Sequence, residues 1–255
     1  MKKKVILVSI TTGILFLISC HKIDFRDFFH KGKKEPFLKE LMHGSRRYVF
    51  YYDRAGFIDS IRAIYPGSGY VYRVVHRGKK IDSVSLVQNG TLVSTNGDIE
   101  YDHKGRITGF TYYLRIVPAA PARYTITYEG GNIRTITERR SPSSANFDTL
   151  TFNSQNNLVQ WLQTISHTPV LVTTFTYDEG LNPLYFIDNL FVMFTEEHFI
   201  WEFVFSEHNS TGKTRTTSTV DHWEYINEYD RHGRLSKKLM LQGSRRDSLV
   251  YRYIH

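Results

Sequence analysis

A seven-residue motif recurs along this chain and restricts its fold more than any other feature. The clearest copies are Tyr52-Asp53-Arg54-Ala55-Gly56-Phe57-Ile58, Tyr101-Asp102-His103-Lys104-Gly105-Arg106-Ile107 and Tyr229-Asp230-Arg231-His232-Gly233-Arg234-Leu235. Weaker copies begin at Tyr128, at Phe152 and at Tyr177-Asp178-Glu179-Gly180. Degenerate ones begin at Val75 and Phe205, and Tyr253 stands where a ninth would begin. Successive anchors lie 23 to 28 residues apart. A period of that size describes a small unit that cannot bury its apolar face alone and must stack on its neighbours.

Each unit reads as a hairpin. The residues before the anchor alternate between large apolar and polar types, as in Tyr124-Thr125-Ile126-Thr127-Tyr128, which describes a half-buried strand. The Asp, Glu or Asn that follows can bond backbone N–H groups and start a turn. The Gly or Asn after it accepts a positive φ and sends the chain back. Tyr52, Asp53, Gly56, Tyr101, Asp102, Gly105, Tyr177, Asp178, Gly180, Tyr229, Asp230 and Gly233 are therefore read as turn-forming repeat residues with a structural role. Tyr and Phe number 17 each against 7 Pro, a composition that suits strands. The expected fold is all-β: about eight or nine antiparallel hairpins forming a curved, half-barrel sheet. One short N-terminal helix is expected over 35–44, where Phe37, Leu38, Leu41 and Met42 make an apolar stripe and Gly44 a C-terminal cap.

The pattern Tyr-Asp-x-x-Gly-Arg-Ile/Leu resembles the YD repeat of Rhs-type exported proteins. With the chain's size, N-terminus and loose spacing, it is similar to the YD-repeat-like lipoproteins of unknown function in Bacteroidota. The resemblance covers roughly residues 45 to 255, and that family supplies no catalytic residue to carry over.

Met1-Lys2-Lys3-Lys4 followed by the apolar stretch Val5–Ile18 is a signal-peptide pattern, short of the roughly 20 residues of a membrane-spanning helix. It ends in Leu17-Ile18-Ser19-Cys20, which resembles the lipobox of bacterial lipoproteins; in that family the Cys is lipidated and the leader is cut before it. Cys20 is the single cysteine, so a lipidated chain has no disulfide and rests on core packing. The expected organisation is a leader over 1–19, an acylated Cys20 with tether and helix over 20–44, and a hairpin domain over 45–255. His21 follows Cys20 and no acidic cluster follows it, which points to the outer membrane facing the periplasm, with the cell surface left open.

Loss of residues 1–19 removes three lysines and no acid, lowering the formal net charge from +8 to +5. Lys31, Lys33 and Lys34 suit an anionic membrane surface beside the anchor. Arg46-Arg47, Arg139-Arg140 and Arg245-Arg246 read as isolated pairs, too sparse for a nucleic-acid patch. No nucleic-acid partner is expected.

Motifs for chemistry are lacking. Separate turn aspartates cannot form a calcium loop. Glu196-Glu197-His198 and Asp221-His222 lack zinc-hydrolase spacing, and no nucleophile elbow or phosphate-binding loop occurs. No catalytic residue, metal or cofactor is expected. Aromatics such as Tyr70, Tyr72, Tyr112-Tyr113, Trp161, Trp201, Trp223 and Tyr225 either fill a core or offer a stacking face. The preferred expectation is a non-enzymatic envelope protein presenting a sheet face to a protein or glycan, with the membrane contacted through the lipid anchor. The rivals are a carrier holding an apolar ligand in a concave face, a glycan hydrolase whose two carboxylates carry no motif and, weakest, a transmembrane barrel. The lipobox and the charges Arg134, Glu138 and Lys237-Lys238 in strand-like stretches argue against the last.

Overall fold

The computed structural model describes residues 37–254, apart from 142, 143, 167, 188, 196 and 197. The first strands are β1 (Leu38–His43), β2 (Arg46–Tyr52), β3 (Ile58–Tyr65), β4 (Ser68–Arg77), β5 (Lys80–Gln88), β6 (Thr91–Tyr101), β7 (Ile107–Leu114) and β8 (Ala122–Glu129). They are followed by β9 (Asn132–Ser141), β10 (Ser144–Phe152), β11 (Leu158–Ile165), β12 (Thr168–Leu181), β13 (His208–Thr216), β14 (Val220–Tyr229), β15 (Leu235–Gln242) and β16 (Arg245–Tyr253). Each strand pairs with its chain neighbours, and β1 closes the ring by pairing antiparallel with β16.

The half-barrel expectation is thus corrected to a closed barrel. Its physical reason is β1. The segment expected as a helix is a strand, and its free edge is what β16 needs to leave no unpaired edge. The barrel accordingly begins at Leu38 rather than residue 45, and Gly44, at φ +55°, is a hairpin turn residue instead of a helix cap.

In an up-and-down ring every second turn lies at the same end. The motif turns at 53–57, 102–106, 153–157 and 230–234 therefore share one end, here called the motif end. There each strand that follows a turn carries one extra residue, as between Tyr51↔Ser60 and Tyr52↔Ile58, or Glu100↔Gly109 and Tyr101↔Ile107. Such a bulge resets the alternation, so the apolar residue after the turn and the residue three places on both face the lumen. Ile58 with Ile61, Ile107 with Phe110, and Leu158 with Trp161 are buried in this way.

The unit at Tyr177 departs from the pattern. Gly180 lies inside β12, which runs on to Leu181, so Tyr177, Asp178 and Gly180 make no hairpin turn. The chain then enters an insert that carries two short helices, α1 (Leu190–Met193) and α2 (His198–Val204), before returning as β13.

Candidate functional site: a plugged lumen and an arginine-bearing end

The motif residues act together, each through a separate contact. Asp102 Oδ1 accepts the backbone N–H groups of Lys104 and Arg106, both at 2.9 Å, and its Oδ2 takes the Arg106 guanidinium at 2.7 Å. Asp230 repeats all of this with His232 and Arg234, whereas Asp53 with Ala55 and Phe57, and Asn153 with Gln155 and Asn157, repeat only the two backbone bonds. Gly56, Gly105 and Gly233 hold positive φ in these turns.

The anchor tyrosine reaches back one unit. Tyr101 Oη donates to the Ile81 carbonyl, Tyr128 to Ile107, Tyr177 to Leu158 and Tyr253 to Leu235, all at 2.6–2.8 Å. Tyr52 likewise holds Leu38, and His76 Nε2 takes the tyrosine's place on Ile58. The motif arginine then lies over the next unit's tyrosine, Arg106 at 4.1 Å from the Tyr128 centroid and Arg234 at 4.6 Å from Tyr253.

A round ring of sixteen strands leaves an aqueous channel unless something fills it. Here the 182–207 insert does. Phe194 meets Tyr48 of β2 and Tyr72 of β4 edge-on, Trp201 stacks on Trp161 of β11, and Phe203 packs against Tyr225 of β14. Contacts with walls this far apart in the ring place α1 and α2 in the lumen. Trp201 is 1 % exposed, and its Nε1 donates to the Phe191 and Phe194 carbonyls at 3.1 Å. Tyr72, Trp161, Trp201 and Tyr225 thus fill the core, while Tyr70, Tyr112 and Trp223 pack against it half-buried.

Polar groups join plug to wall at two places. Glu202 of α2 takes Lys213 Nζ at 2.5 Å and Arg215 at 3.2 Å, and both cations lie over Trp223. Burial lowers the Lys213 pKa, and Glu202 pushes back against that shift. On the opposite wall Asn96 Nδ2 donates to the Val192 carbonyl and to Thr195 Oγ1. A cavity of about 10 Å³, bounded by Tyr72, Ser94, Asn96, Tyr112, Met193 and Thr195, adjoins this second contact. That is the room of a single water, not of a lipid or a sugar.

Lys238 occupies the lumen position three residues after the turn where other units carry Ile61, Phe110 or Trp161. It is 1 % exposed, donates to Ser210 O and Oγ at 2.8 Å, and faces the Phe203 and Tyr225 rings. Burial pushes its pKa down to about 7, with Asp178 acting in the other direction. Asp178 itself accepts from Tyr229 Oη at 2.6 Å and Asn227 Nδ2 at 2.7 Å. A lysine, a carboxylate and a tyrosine converge here. These contacts link β12 through β15 where the insert interrupts the hairpins.

The outer wall is mixed, with exposed Tyr51, Val75 and Ile226 among polar and charged side chains. Thr125, Thr127, Thr135, Thr137, Thr149 and Thr151 alternate with the buried residues of β8–β10, and Thr127 and Thr135 hydrogen-bond across strands at 2.6 Å. Arg62, Arg73 and Glu224 face outward near mid-strand and are exposed.

The end opposite the motif turns is rich in arginine, although Arg47, Arg123, Arg140 and Arg215 are paired with Glu40, Glu100, Glu138 and Glu202. Its eight hairpin loops, each counted with two flanking strand residues per side, carry eight arginines, no lysine and one carboxylate, Asp221. The six hairpin loops of the motif end, counted alike, carry eight cations and seven carboxylates. The Arg46-Arg47, Arg139-Arg140 and Arg245-Arg246 pairs, isolated in sequence, all gather at the first of these ends. Nothing local in the sequence announces this; only the strand count assigns each loop to its end.

Of the other sequence candidates, Cys20, Lys31, Lys33, Lys34, Glu196 and Glu197 lie outside the described residues. Asp221 and His222 sit on opposite faces of β14, and His222 Nδ1 pairs with Thr214 Oγ1. Among the described residues no cluster of His, Cys, Asp or Glu is placed to hold a metal.

No family model matches the chain, and no curated protein matches it. Among solved structures, a porin-like protein from Bacteroides uniformis superposes with a TM-score of 0.61 and 13 % identity over 85 % of this chain and 98 % of that one. The fold is similar to that porin-like barrel. A second porin-like protein, from Bacteroides vulgatus, matches with a TM-score of 0.47 and 10 % identity over 86 % and 99 % of the two chains. The interior, however, differs from that of a barrel in lipid, which has an apolar band outside and a polar lumen. Here aromatic and aliphatic side chains fill the lumen around the buried Glu202 and Lys238 and the half-buried Lys213, and the outer wall mixes threonines and charges with exposed Tyr51, Val75 and Ile226.

Proposed function

We propose that this protein is a non-catalytic, YD-repeat-like envelope lipoprotein, anchored through Cys20 and holding its barrel in water. Its outer wall engages a protein or glycan partner. One observation carries the reading: the lumen is filled by the chain's own aromatic insert while the wall outside is threonine-rich and charged. A lumen filled in this way has no space for an apolar ligand, which removes support from the carrier alternative. Among the described residues, the outside is the extended surface left for a partner. The lipobox-like Leu17-Ile18-Ser19-Cys20 and the absence of an inner-membrane retention residue at His21 support attachment to the outer membrane.

Two measurements on the natural host test this. Labelled palmitate should enter the wild-type protein and not Cys20→Ala, and the variant should leave the membrane fraction. Photo-crosslinking residues placed at Thr127 and Thr149 should yield a discrete adduct. Equal labelling of Cys20→Ala would remove the anchor, and adducts absent from every wall position would remove the wall as a binding surface.

A further inference from the structure

The arginine-bearing end has a feature the other end lacks. Where a structure is described for its other hairpin loops, they take two or three residues, but β7 and β8 are joined by seven, Arg115-Ile116-Val117-Pro118-Ala119-Ala120-Pro121. Ile116 is 57 % and Val117 50 % exposed, and the six residues from Ile116 to Pro121 carry no polar side chain. Arginines flank this tip. Arg115 stands at its base over the Tyr113 ring, and Arg123 and Arg139 face each other across β8 and β9. Like charges placed directly opposite on a sheet are unfavourable unless an anion lies between or beside them. Glu100 meets Arg123 at 2.5 Å, while Arg139 has no carboxylate partner among the described residues. Arg245 and Arg246 likewise have none among the described residues, and they open β16. Leu249 of that strand pairs with His43 of β1 opposite Arg46, while Asp247 takes His43 at 2.7 Å. Val170 and Val220 add exposed aliphatic surface to the same end.

We infer that this end docks on an anionic lipid surface, with Ile116 and Val117 entering the interface and the arginines pairing with headgroup phosphates. Arginine, not lysine, forms the planar two-point contact that phosphate oxygens favour. An acidic polymer would use the arginines but would leave the six-residue apolar tip in water. A lipid surface satisfies both, as interfacial segments with basic and aliphatic residues do. The inference stands apart from the Cys20 anchor. The chain enters the barrel at the motif end, opposite the arginines.

Because all sixteen strands pair within residues 37–254, the chain from His21 onward folds as a closed unit and can be tested without its lipid. Co-sedimentation would use vesicles of equal parts phosphatidylglycerol and phosphatidylcholine, and of phosphatidylcholine alone. The protein should bind only the anionic vesicles. Arg245→Glu/Arg246→Glu and Ile116→Ser/Val117→Ser should each weaken binding at least about tenfold, since one surface-bound basic residue is worth roughly fivefold. Lys79→Glu/Lys80→Glu, the same charge change at the motif end, should leave it intact. Near-UV circular dichroism checks that the variants fold. Equal binding to phosphatidylcholine, or an equal loss in the Lys79/Lys80 variant, overturns the proposal. So does a loss from the arginine change with none from Ile116 and Val117, which would mark a site for soluble polyanions. Because the anchor is absent throughout, these outcomes do not depend on whether Cys20 is lipidated.

Discussion

Tyr101 carries a hydrogen bond that the alternation around it does not reveal, because its acceptor, the Ile81 carbonyl, lies 20 residues back. Tyr101→Phe should lower stability by about 1 kcal/mol in urea denaturation, the worth of one such bond. Phe152, which has no hydroxyl at the same place in its unit, should show no loss on Phe152→Leu beyond that of side-chain volume. The turn residues were legible because their partners sit within four residues. The tyrosine and the motif arginine were not, because each spans two units. Asp230 offers a test by pH. Against the upward push of burial, the Arg234 guanidinium and the His232 and Arg234 N–H groups hold its carboxyl at about 2. Its folded pKa is below its unfolded one, so its contribution is complete above about pH 4 and is lost as pH falls toward 2; Asp230→Asn should remove that part of the acid sensitivity. Lys238 behaves in the opposite sense. The unfolded chain binds its proton up to a pKa of 10.5 and the folded chain only to about 7, so stability climbs as pH rises between them. Lys238→Met should raise stability by about 1–2 kcal/mol near pH 7 and flatten that climb in melts recorded from pH 7 to 10.

Among the elements, β1 shows how a bulge can disguise a strand. Lys39 is the extra residue between the pairs Leu38↔Tyr253 and Glu40↔Arg252, so Leu38 and Leu41, three apart, both face the lumen. Three-residue apolar spacing is also the mark of a helix face, and the period alone cannot separate the two. Glu40, on the outer side, lies between Arg47 and Arg252, and the Arg47 hydrogen bond leads in lowering its pKa. The insert was legible only as a long gap between Asp178 and Asp230. Its plugging role depends on which strands surround it, which no local pattern encodes. Glu202→Ala should cost about 3 kcal/mol in chemical denaturation by leaving Lys213 and Arg215 without their carboxylate. Adding Lys213→Met to that variant should recover part of the loss. Trp201→Ala should cost about 3–5 kcal/mol and open a hole beside Trp161.

At the scale of the molecule, the repeat sets the number of strands, the motif sets one end, and the closure of β1 on β16 decides that the sheet has an inside. With the inside filled by aromatic residues of the insert, what the described residues offer to others lies on the wall and at the two unlike ends. The hairpin architecture could be read from the periodicity, yet whether the sheet stays open or closes depended on six residues before the first clear copy. The account rests on a closed, plugged barrel with a wall of mixed polarity, and sedimentation velocity of the chain from His21 onward in detergent-free buffer tests it most directly. A single monomeric species that remains in solution is the expected result. A protein that stays dispersed only in detergent micelles would contradict the account and place the wall in lipid.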